Sequence, residues 1–219
     1  MPLPAFTVIK THRTLTLYGW VMLFLVSAVV FISAILTTHP FLSASHPSKG
    51  QALVVSGWLS DLDLQEAIGI FNKSKNYQVL IVSGGKIDRG VFSSKYKNFA
   101  ELGFDSLKRM GFNTEKIFVA PTLTVIKDRT YAEALAVKKK ILEIPLKINA
   151  IDVFTEGVHS RRSWYLYQLA LGENYNVGAV SATIHHYDPD RWWAYSAGVR
   201  QTINESIAYL YARFFFNPE

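Results

Sequence analysis

The chain of 219 residues contains no cysteine, so no disulfide can support its fold. The lack of thiols suits an oxidising compartment, where free cysteines are a liability. Three motifs of nucleotide binding and catalysis are missing too, because the sequence has no GxGxxG, no P-loop and no GxSxG. Classical dinucleotide binding, ATP binding by a Walker motif and hydrolysis by a serine nucleophile elbow therefore have no support.

Charged residues are missing from the segment 14–38, which reads TLTLYGWVMLFLVSAVVFISAILTT. Its inner part has about the 20 residues that a helix needs to cross a ~30 Å hydrocarbon core. A core helix of a soluble protein normally has a polar stripe, and this segment has none. The sequence predicts a transmembrane helix over residues 16–37. A signal peptide cleaved near Ala44 is the alternative, although signal peptides have shorter apolar cores.

The flanks of this segment predict the topology. Lys10 and Arg13 precede it, and basic flanks stay in the cytoplasm. We therefore expect a single-pass protein of the inner (plasma) membrane, with residues 1–15 in the cytoplasm and the remainder outside it, although Lys49 is an opposing signal. Residues 38–50 contain prolines, serines and a glycine and are predicted to be a linker. The folded domain is expected to comprise residues 51–219.

The formal net charge is +6, which is too small and too little clustered to indicate nucleic-acid binding. A mild positive excess suits an anionic ligand or an acidic membrane surface. His185 and His186 lack a second group of metal ligands at useful spacing, so we predict no metal site. No cofactor is predicted either.

Beyond residue 50, short apolar runs alternate with stretches of helical spacing. Five runs are predicted as strands: 52–57, 79–85, 117–120, 150–157 and 175–182. Strands that are apolar throughout and separated by helices indicate a parallel sheet covered on both faces. The sequence thus predicts a Rossmann-like three-layer α/β/α sandwich with about five strands, preceded by one transmembrane helix.

The strongest functional signal is the segment HSRRS, which begins at His159 after the fourth predicted strand. If a helix begins there, His159, Arg162 and Ser163 share one face at a helix N terminus, where N–H groups and the dipole attract anions. Basic residues in a first turn oppose that dipole, and a bound phosphate or carboxylate would compensate for them. The alternative is that Arg161 and Arg162 are solvated or paired with Glu156.

Weaker signals lie at the other strand ends, where ligands of open parallel sheets bind. The SGG segment after the second strand either exposes backbone N–H groups to a phosphate or forms a tight turn. DRTYAEA begins with Asp128, a predicted helix N-cap, and its next two residues can reach the same crevice.

Two further candidates come from the end of the chain. Arg191, in DPDRWW, either lies over a tryptophan ring, packs in the core or belongs to an aromatic anchor at the bilayer. Glu205 lies in a mainly apolar predicted helix, about residues 195–215, so Arg191 or an arginine of HSRRS is its expected partner. His159 is the candidate catalytic residue. The predicted ligand-binding residues are Ser56, Gly57, Ser83, Gly84, Gly85, Asp128, Arg129, Thr130, Arg161, Arg162, Ser163, Arg191 and Glu205.

The order of these motifs, LVVSGW, LIVSGG, DRTYAEA, HSRRS and the terminal RWW…GVR…NES, resembles the YdcF-like family, also called domain of unknown function 218. The resemblance covers about residues 50–215. It implies a tethered Rossmann-like domain on the outer side of the bacterial inner membrane, with a role in envelope integrity and in handling polyprenyl-phosphate carriers. It also implies a pocket at residues 128–130 and 159–163. DRTYAEA replaces the Thr–x–x–Asn pattern of many relatives, so a role that depends on the asparagine is not expected.

Residues and resemblance together predict a membrane-anchored, extracytoplasmic protein of cell-envelope biogenesis. Its partners would be the lipid bilayer and an anionic phosphate-bearing small molecule or lipid carrier, bound in a basic pocket. If the pocket is catalytic, phosphoester or pyrophosphate hydrolysis with His159 as proton donor is expected. The alternatives are a non-catalytic scaffold or sensor of envelope synthesis, and an enzyme that binds a nucleotide or S-adenosylmethionine.

Overall fold

The computed structural model describes residues 12–88, 94–122 and 124–218. The chain divides into two compact units, residues 1–37 and 38–219. Helix α1 (Leu17–Leu42), most of which belongs to the first unit, begins one residue after its predicted start. It is long and apolar enough to cross a membrane. Most of the predicted cytoplasmic segment, including Lys10, lies outside the described residues.

The stretch predicted as a linker is largely fixed to the second unit. Helix α1 continues to Leu42 rather than ending at Thr37, and its last turn contains Pro40. Backbone groups of His46 then pair with those of Ala179 on the last strand. The backbone N–H groups of Ser48 and Gly50 donate to the buried carboxylate of Asp152. Proline and serine predicted an irregular backbone for this stretch. Residues 43–50 do have an irregular backbone, but hydrogen bonds attach it to the sheet.

A five-stranded parallel sheet forms the centre of the second unit, which confirms the predicted fold class. The spatial order is β3-β2-β1-β4-β5. Every residue of the two strands β1 and β2 is buried, as expected for apolar strands that are covered on both faces. The strands are β1 (Ala52–Ser56), β2 (Val79–Gly84), β3 (Ile117–Pro121), β4 (Ala150–Glu156) and β5 (Asn176–Ala182).

Helices cover both faces of the sheet. Because side chains alternate along a strand, Leu53 and Val55 face helices α2 and α3, whereas Ala52 and Val54 face α4 and α5. The last helix packs against α5. The helices are α2 (Asp61–Lys73), α3 (Phe99–Arg109), α4 (Arg129–Glu143), α5 (Ser160–Leu171) and α6 (Ser196–Phe214), and short 3₁₀ turns occupy Thr114–Lys116, Gly157–His159 and Pro189–Ala194.

The strand order places a crevice where the site was expected. The chain winds from β1 to β3 in one direction and then returns to add β4 and β5 on the other side of β1. Loops therefore diverge at the carboxyl ends of β1 and β4, which is where open α/β sheets bind ligands.

Candidate functional site

A cavity of about 1030 Å³ lies at the carboxyl ends of the strands. Ligand pockets usually measure about 300–1,000 Å³, so this one has room for a large or extended ligand. Its wall is built by the loops after β1, β2, β3 and β4, by the first turns of α4 and α5, and by one face of α6. The predicted site residues that line it are Gly85, Asp128, Arg129, Thr130, His159, Arg162 and Glu205.

Arg162 is the centre of a polar cluster on this wall. Its Nε and Nη2 donate to Glu205 Oε2 and Oε1 at 2.8 and 3.0 Å, and its Nη1 donates to Thr130 Oγ1 at 3.2 Å. A two-pronged guanidinium–carboxylate pair holds both side chains in one orientation. Of the two partners suggested for Glu205 by the sequence, the structure selects the arginine of HSRRS. Three helices meet here, because Thr130 lies in the first turn of α4, Arg162 in the first turn of α5 and Glu205 within α6.

His159 completes the cluster, and the two neighbours of its Nδ1 require opposite protonation. Glu205 Oε1 lies 3.1 Å from Nδ1 and needs an N–H there, whereas Arg162 Nη2 lies 2.9 Å away and needs a lone pair. A guanidinium cannot accept and an ionised carboxylate cannot donate, so the two hydrogen bonds exclude each other. If an anion took the N–H of Arg162, His159 would be free to donate to Glu205.

The Glu205 carboxyl is ionised in this cluster. Burial alone disfavours its charged form, but hydrogen bonds from His159 and Arg162, together with their positive charge, outweigh burial and lower the pKa of Glu205 to about 2. Glu205 therefore balances the charge of Arg162 at any ordinary pH. A fixed counter-charge of this kind keeps Arg162 in place at the cavity wall.

Glu133 is a cavity residue that the sequence analysis missed. It lies in the second turn of α4, three positions after Thr130. Burial raises the pKa of its carboxyl to about 7, although a backbone hydrogen bond from Gly85 and the charges of Arg129 and Arg162 act against this. A carboxyl that is half protonated near neutral pH can give or take a proton. Its spacing from Thr130, which places both on one helix face at a strand end, was the available signal.

Two polar atoms on the cavity wall lack hydrogen-bond partners among the described residues. They are Thr122 Oγ1, in the loop after β3, and Gln201 Oε1 on α6. The amide nitrogen of Gln201 is used, since it donates to Glu156 Oε1 at 3.1 Å. Buried polar atoms nearly always have partners, so unpaired ones on a cavity wall favour a polar ligand there.

The charge of the wall corrects one expectation, because the pocket is not basic. Among its described lining residues, Lys86, Arg129 and Arg162 carry positive charge, against the five carboxyl groups of Asp88, Asp128, Glu133, Glu156 and Glu205. Arg162 is neutralised by Glu205, and Arg129 lies 3.8 Å from Asp88 in an exposed pair. Any anion bound here must rely on directed hydrogen bonds more than on excess positive charge.

The helices that begin at the cavity lack side-chain caps within the described residues. Asp128 occupies the predicted N-cap position of α4, but its side chain makes no capping bond and its backbone is left-handed, with φ of 56°. This corrects the predicted capping role, because that backbone differs from the extended one that side-chain caps require. Helix α5 likewise begins after the 3₁₀ turn without a side-chain cap. The first N–H groups of both helices are thus not used by a neighbouring side chain.

The serines and first glycines at the strand ends serve packing instead of lining the cavity. Ser56 and Ser83 are buried, and Ser83 Oγ lies 3.3 Å from the hydroxyl of Tyr167. A Cβ on Gly57 would lie 2.1 Å from the carbonyl oxygen of Phe99, and one on Gly84 would lie 2.7 Å from the backbone of α3. These two glycines therefore allow the start of α3 to approach the sheet.

Three other predicted residues are also turned away from the cavity. Arg161 donates to the carbonyl of Phe41 and lies over its ring. Ser163 is buried in α5. Arg191 pairs with Asp188 at 2.9 Å, on an exposed surface. Of the two adjacent arginines, the helix directs only Arg162 inward, since neighbouring positions on a helix point about 100° apart.

The structure also brings together ligating groups that the sequence did not connect. Asp63, Glu66 and His185 offer atoms within 4.8 Å of one another. Both carboxylates already accept hydrogen bonds from the protein, Asp63 from Ser60 and Glu66 from Thr183. Those bonds account for the positions of the two carboxylates.

Comparisons with known proteins do not extend this description. The chain matches no protein-family model, and no curated protein has significant similarity to it. The resemblance to the YdcF-like family therefore stays a prediction.

Proposed function

We propose that this chain is a membrane-anchored protein that binds a phosphate-bearing ligand in the cavity. The main support is the cluster of Arg162, Glu205, His159 and Thr130. In this cluster an N–H of Arg162 is directed at His159 Nδ1, which also lies close to the carboxylate of Glu205. A phosphate oxygen is a strong acceptor for such an N–H. On binding, it would remove the conflict at His159 Nδ1.

Neutral donors would supplement Arg162. The hydroxyl of Thr122 and the first N–H groups of α4 are suitable donors on the same wall. A Cβ on Gly85 would meet nothing within 4 Å, so its side of the cavity has room for a ligand close to the backbone. Protonation of Glu133 near neutral pH would reduce the repulsion of an anion.

We place the protein in the cell envelope on two further grounds. Helix α1 is apolar enough to cross a membrane, and the basic residues before it favour a cytoplasmic N terminus with the second unit outside the inner membrane. The resemblance to the YdcF-like family suggests that the ligand is an intermediate of envelope biogenesis.

Hydrolysis is the second candidate function, and the raised pKa of Glu133 favours it. In the proposed reaction, water attacks phosphorus while ionised Glu133 accepts a proton from it. The P–O bond to the leaving group breaks, and His159 in its protonated form gives a proton to the leaving oxygen. Glu133 is then protonated and His159 has lost a proton, and proton exchange with solvent restores the starting state of both side chains.

The binding proposal is tested with Arg162→Ala, using inorganic pyrophosphate as the probe in titration calorimetry. We expect affinity to weaken by about 1.5–3 kcal/mol, the range for a hydrogen bond to a charged group. Arg161→Ala is the matched control, because it removes the adjacent arginine on the outside of the cavity. Arg162→Lys keeps the charge without the two-pronged geometry and guards against loss of folding. Equal affinity in all four proteins would contradict the proposal.

The hydrolysis candidate is tested by release of inorganic phosphate from a polyprenyl pyrophosphate in mixed micelles. We expect release by the natural protein and at least a tenfold loss in Glu133→Gln, in line with the usual contribution of about 10²–10⁴ from acid–base catalysis. Binding without release would instead favour a non-catalytic sensor or scaffold of envelope synthesis.

A further inference from the structure

Helix α6 exposes an apolar face that is separate from its cavity face. Ile203, Ile207, Leu210 and Phe214 are 47%, 63%, 51% and 71% exposed. Their spacing of four, three and four residues places them on one side of the helix, opposite Glu205. Nothing in the described part of the chain covers them. A contiguous apolar surface of this kind marks a site of interaction with a partner or a membrane.

The surroundings of this face have the chemistry of a helix at a membrane surface. Exposed aromatic rings of Trp193 and Phe215 lie just before and after the helix. Exposed Arg200 and Arg213 lie on α6 itself, whose sole acidic residue is the inward-facing Glu205. Interfacial helices combine an apolar face with basic flanks and aromatic residues, because lipid headgroups are often anionic and indole rings favour the headgroup level.

The chain enters the second unit beside this helix. Residues 38–42, the last turn of α1, belong to the second unit. There the ring of Phe41 contacts that of Tyr209 on α6, with centroids 5.5 Å apart. Because residues 38–42 directly follow the apolar part of α1 in the chain, connectivity keeps α6 within a short distance of any membrane that α1 crosses.

We propose that the apolar face of α6 lies in the surface of the lipid bilayer, with its side chains reaching about 5–10 Å into the headgroup–acyl boundary. The inference rests on membrane anchoring by α1, which is part of the proposed function, and not on the ligand of the cavity. A second copy of the chain is a poorer occupant. Such a contact would offer the exposed Arg200 no acidic partner from α6, whose sole acid, Glu205, faces inward, whereas anionic headgroups would supply one.

The natural lack of cysteine allows a direct test with single spin labels. The full-length protein is reconstituted in vesicles of phosphatidylcholine and phosphatidylglycerol and labelled at Ile207→Cys. Electron paramagnetic resonance then compares accessibility to oxygen, which concentrates in lipid, with accessibility to a water-soluble nickel chelate. Leu142→Cys on α4, which is 73% exposed, is the matched control for a solvated apolar position, and Val26→Cys on α1 is the lipid reference.

We expect the ratio of oxygen to nickel accessibility at position 207 to be several-fold higher than at position 142 and close to that at position 26. A solvated label at 207 together with a lipid-embedded label at 26 would overturn the inference and leave the anchoring intact. Solvated labels at both positions would overturn the anchoring as well. Dipolar broadening between labels at 207 would show that a second copy covers the face, and would also overturn the inference.

Discussion

The helices on the two faces of the sheet begin in different ways. On one face, Ser60 Oγ accepts the N–H of Asp63 at the start of α2, and Asn98 Oδ1 accepts that of Glu101 at the start of α3, at 3.3 and 2.8 Å. On the other face, α4 and α5 begin at the cavity, and no described side chain caps them. The helix starts on the first face are thus capped by the protein's own side chains, whereas those on the second face have no side-chain cap among the described residues.

The candidate site therefore differs in position from the phosphate site of a dinucleotide-binding fold. There, the turn after the first strand binds pyrophosphate at the N terminus of the following helix. Here the corresponding helix, α2, is closed by a capping box between Ser60 and Asp63. The turn itself is filled, because Gly57 packs directly against the backbone of Phe99. The nucleotide-binding alternative therefore lacks its usual phosphate site.

The largest expected effect on stability concerns Glu133, which lies on α4, on the face of the sheet where the helices lack side-chain caps. The pKa of its carboxyl is about 7 in the folded protein and near 4.5 in the unfolded chain. Between these values only the folded state holds the proton, so stability should fall by about 3 kcal/mol as pH rises from 4.5 to 7. Glu133→Gln should remove this loss. Thermal or denaturant unfolding in detergent at pH 4 and pH 8 checks it.

The same variant at pH 4 is the control for this experiment, because Glu133 is then protonated in both states. We expect Glu133→Gln to match the natural protein at pH 4 and to exceed it at pH 8. An equal difference at the two pH values would mean that the carboxyl does not titrate as described.

A smaller effect is expected for Glu205→Gln, which leaves Arg162 without its counter-charge. The free energy of unfolding at pH 7 should fall by about 2 kcal/mol. The pKa of Glu205 is lowered to about 2, so this contribution is present above about pH 4.5 and is lost as pH falls from there to 2.

Glu66→Gln is the matched control on the capped side, where Glu66 accepts two hydrogen bonds from the neutral Thr183. Its cost at pH 7 should stay below about 1 kcal/mol. If Glu205→Gln and Glu66→Gln lowered the free energy of unfolding equally, the pair of Arg162 and Glu205 would contribute no more than the hydrogen bonds of Glu66, and the expected difference between the two faces would be contradicted.

The smallest effect compares the helix starts themselves. Ser60→Ala should cost about 1 kcal/mol, since it removes a side-chain cap. Asp128→Gly should cost nothing and can raise stability by a few tenths of a kcal/mol, because Asp128 makes no capping bond and its φ is positive. Denaturant unfolding of both variants measures the difference. A loss of about 1 kcal/mol in Asp128→Gly would reveal a cap at α4 after all.

Sequence predicted the fold well because its signals are local. The run ALVVS at residues 52–56 is apolar throughout, and a strand buried on both faces requires this. The start of α4 at Arg129 also agrees with the prediction, although the expected capping bond of Asp128 does not form. By contrast, the sequence did not indicate that α1 continues past residue 37 to Leu42, since its last turn is held by contacts with residues far along the chain, such as that between His39 and Tyr187.

The site was predicted only in part, because its geometry depends on which side chains a helix turns inward. HSRRS indicated a strand end that lines the cavity, yet only the folded structure distinguishes Arg162, which contacts Glu205, from Arg161, which contacts Phe41. The raised pKa of the Glu133 carboxyl depends on burial in the folded structure, and the spacing of Glu133 from Thr130 does not encode that burial. The spacing of the apolar residues on α6 can be read from the sequence, but periodicity alone does not reveal that these side chains are exposed.

The pairing of His46 with Ala179 has a consequence for how neighbouring copies can associate. It occupies backbone groups on the outer edge of β5 with the chain's own residues. At the opposite edge, β3 is five residues long and ends in Pro121, which has no N–H to offer. Both borders of the sheet thus discourage the addition of a foreign strand, which protects against aggregation by edge-to-edge pairing of copies.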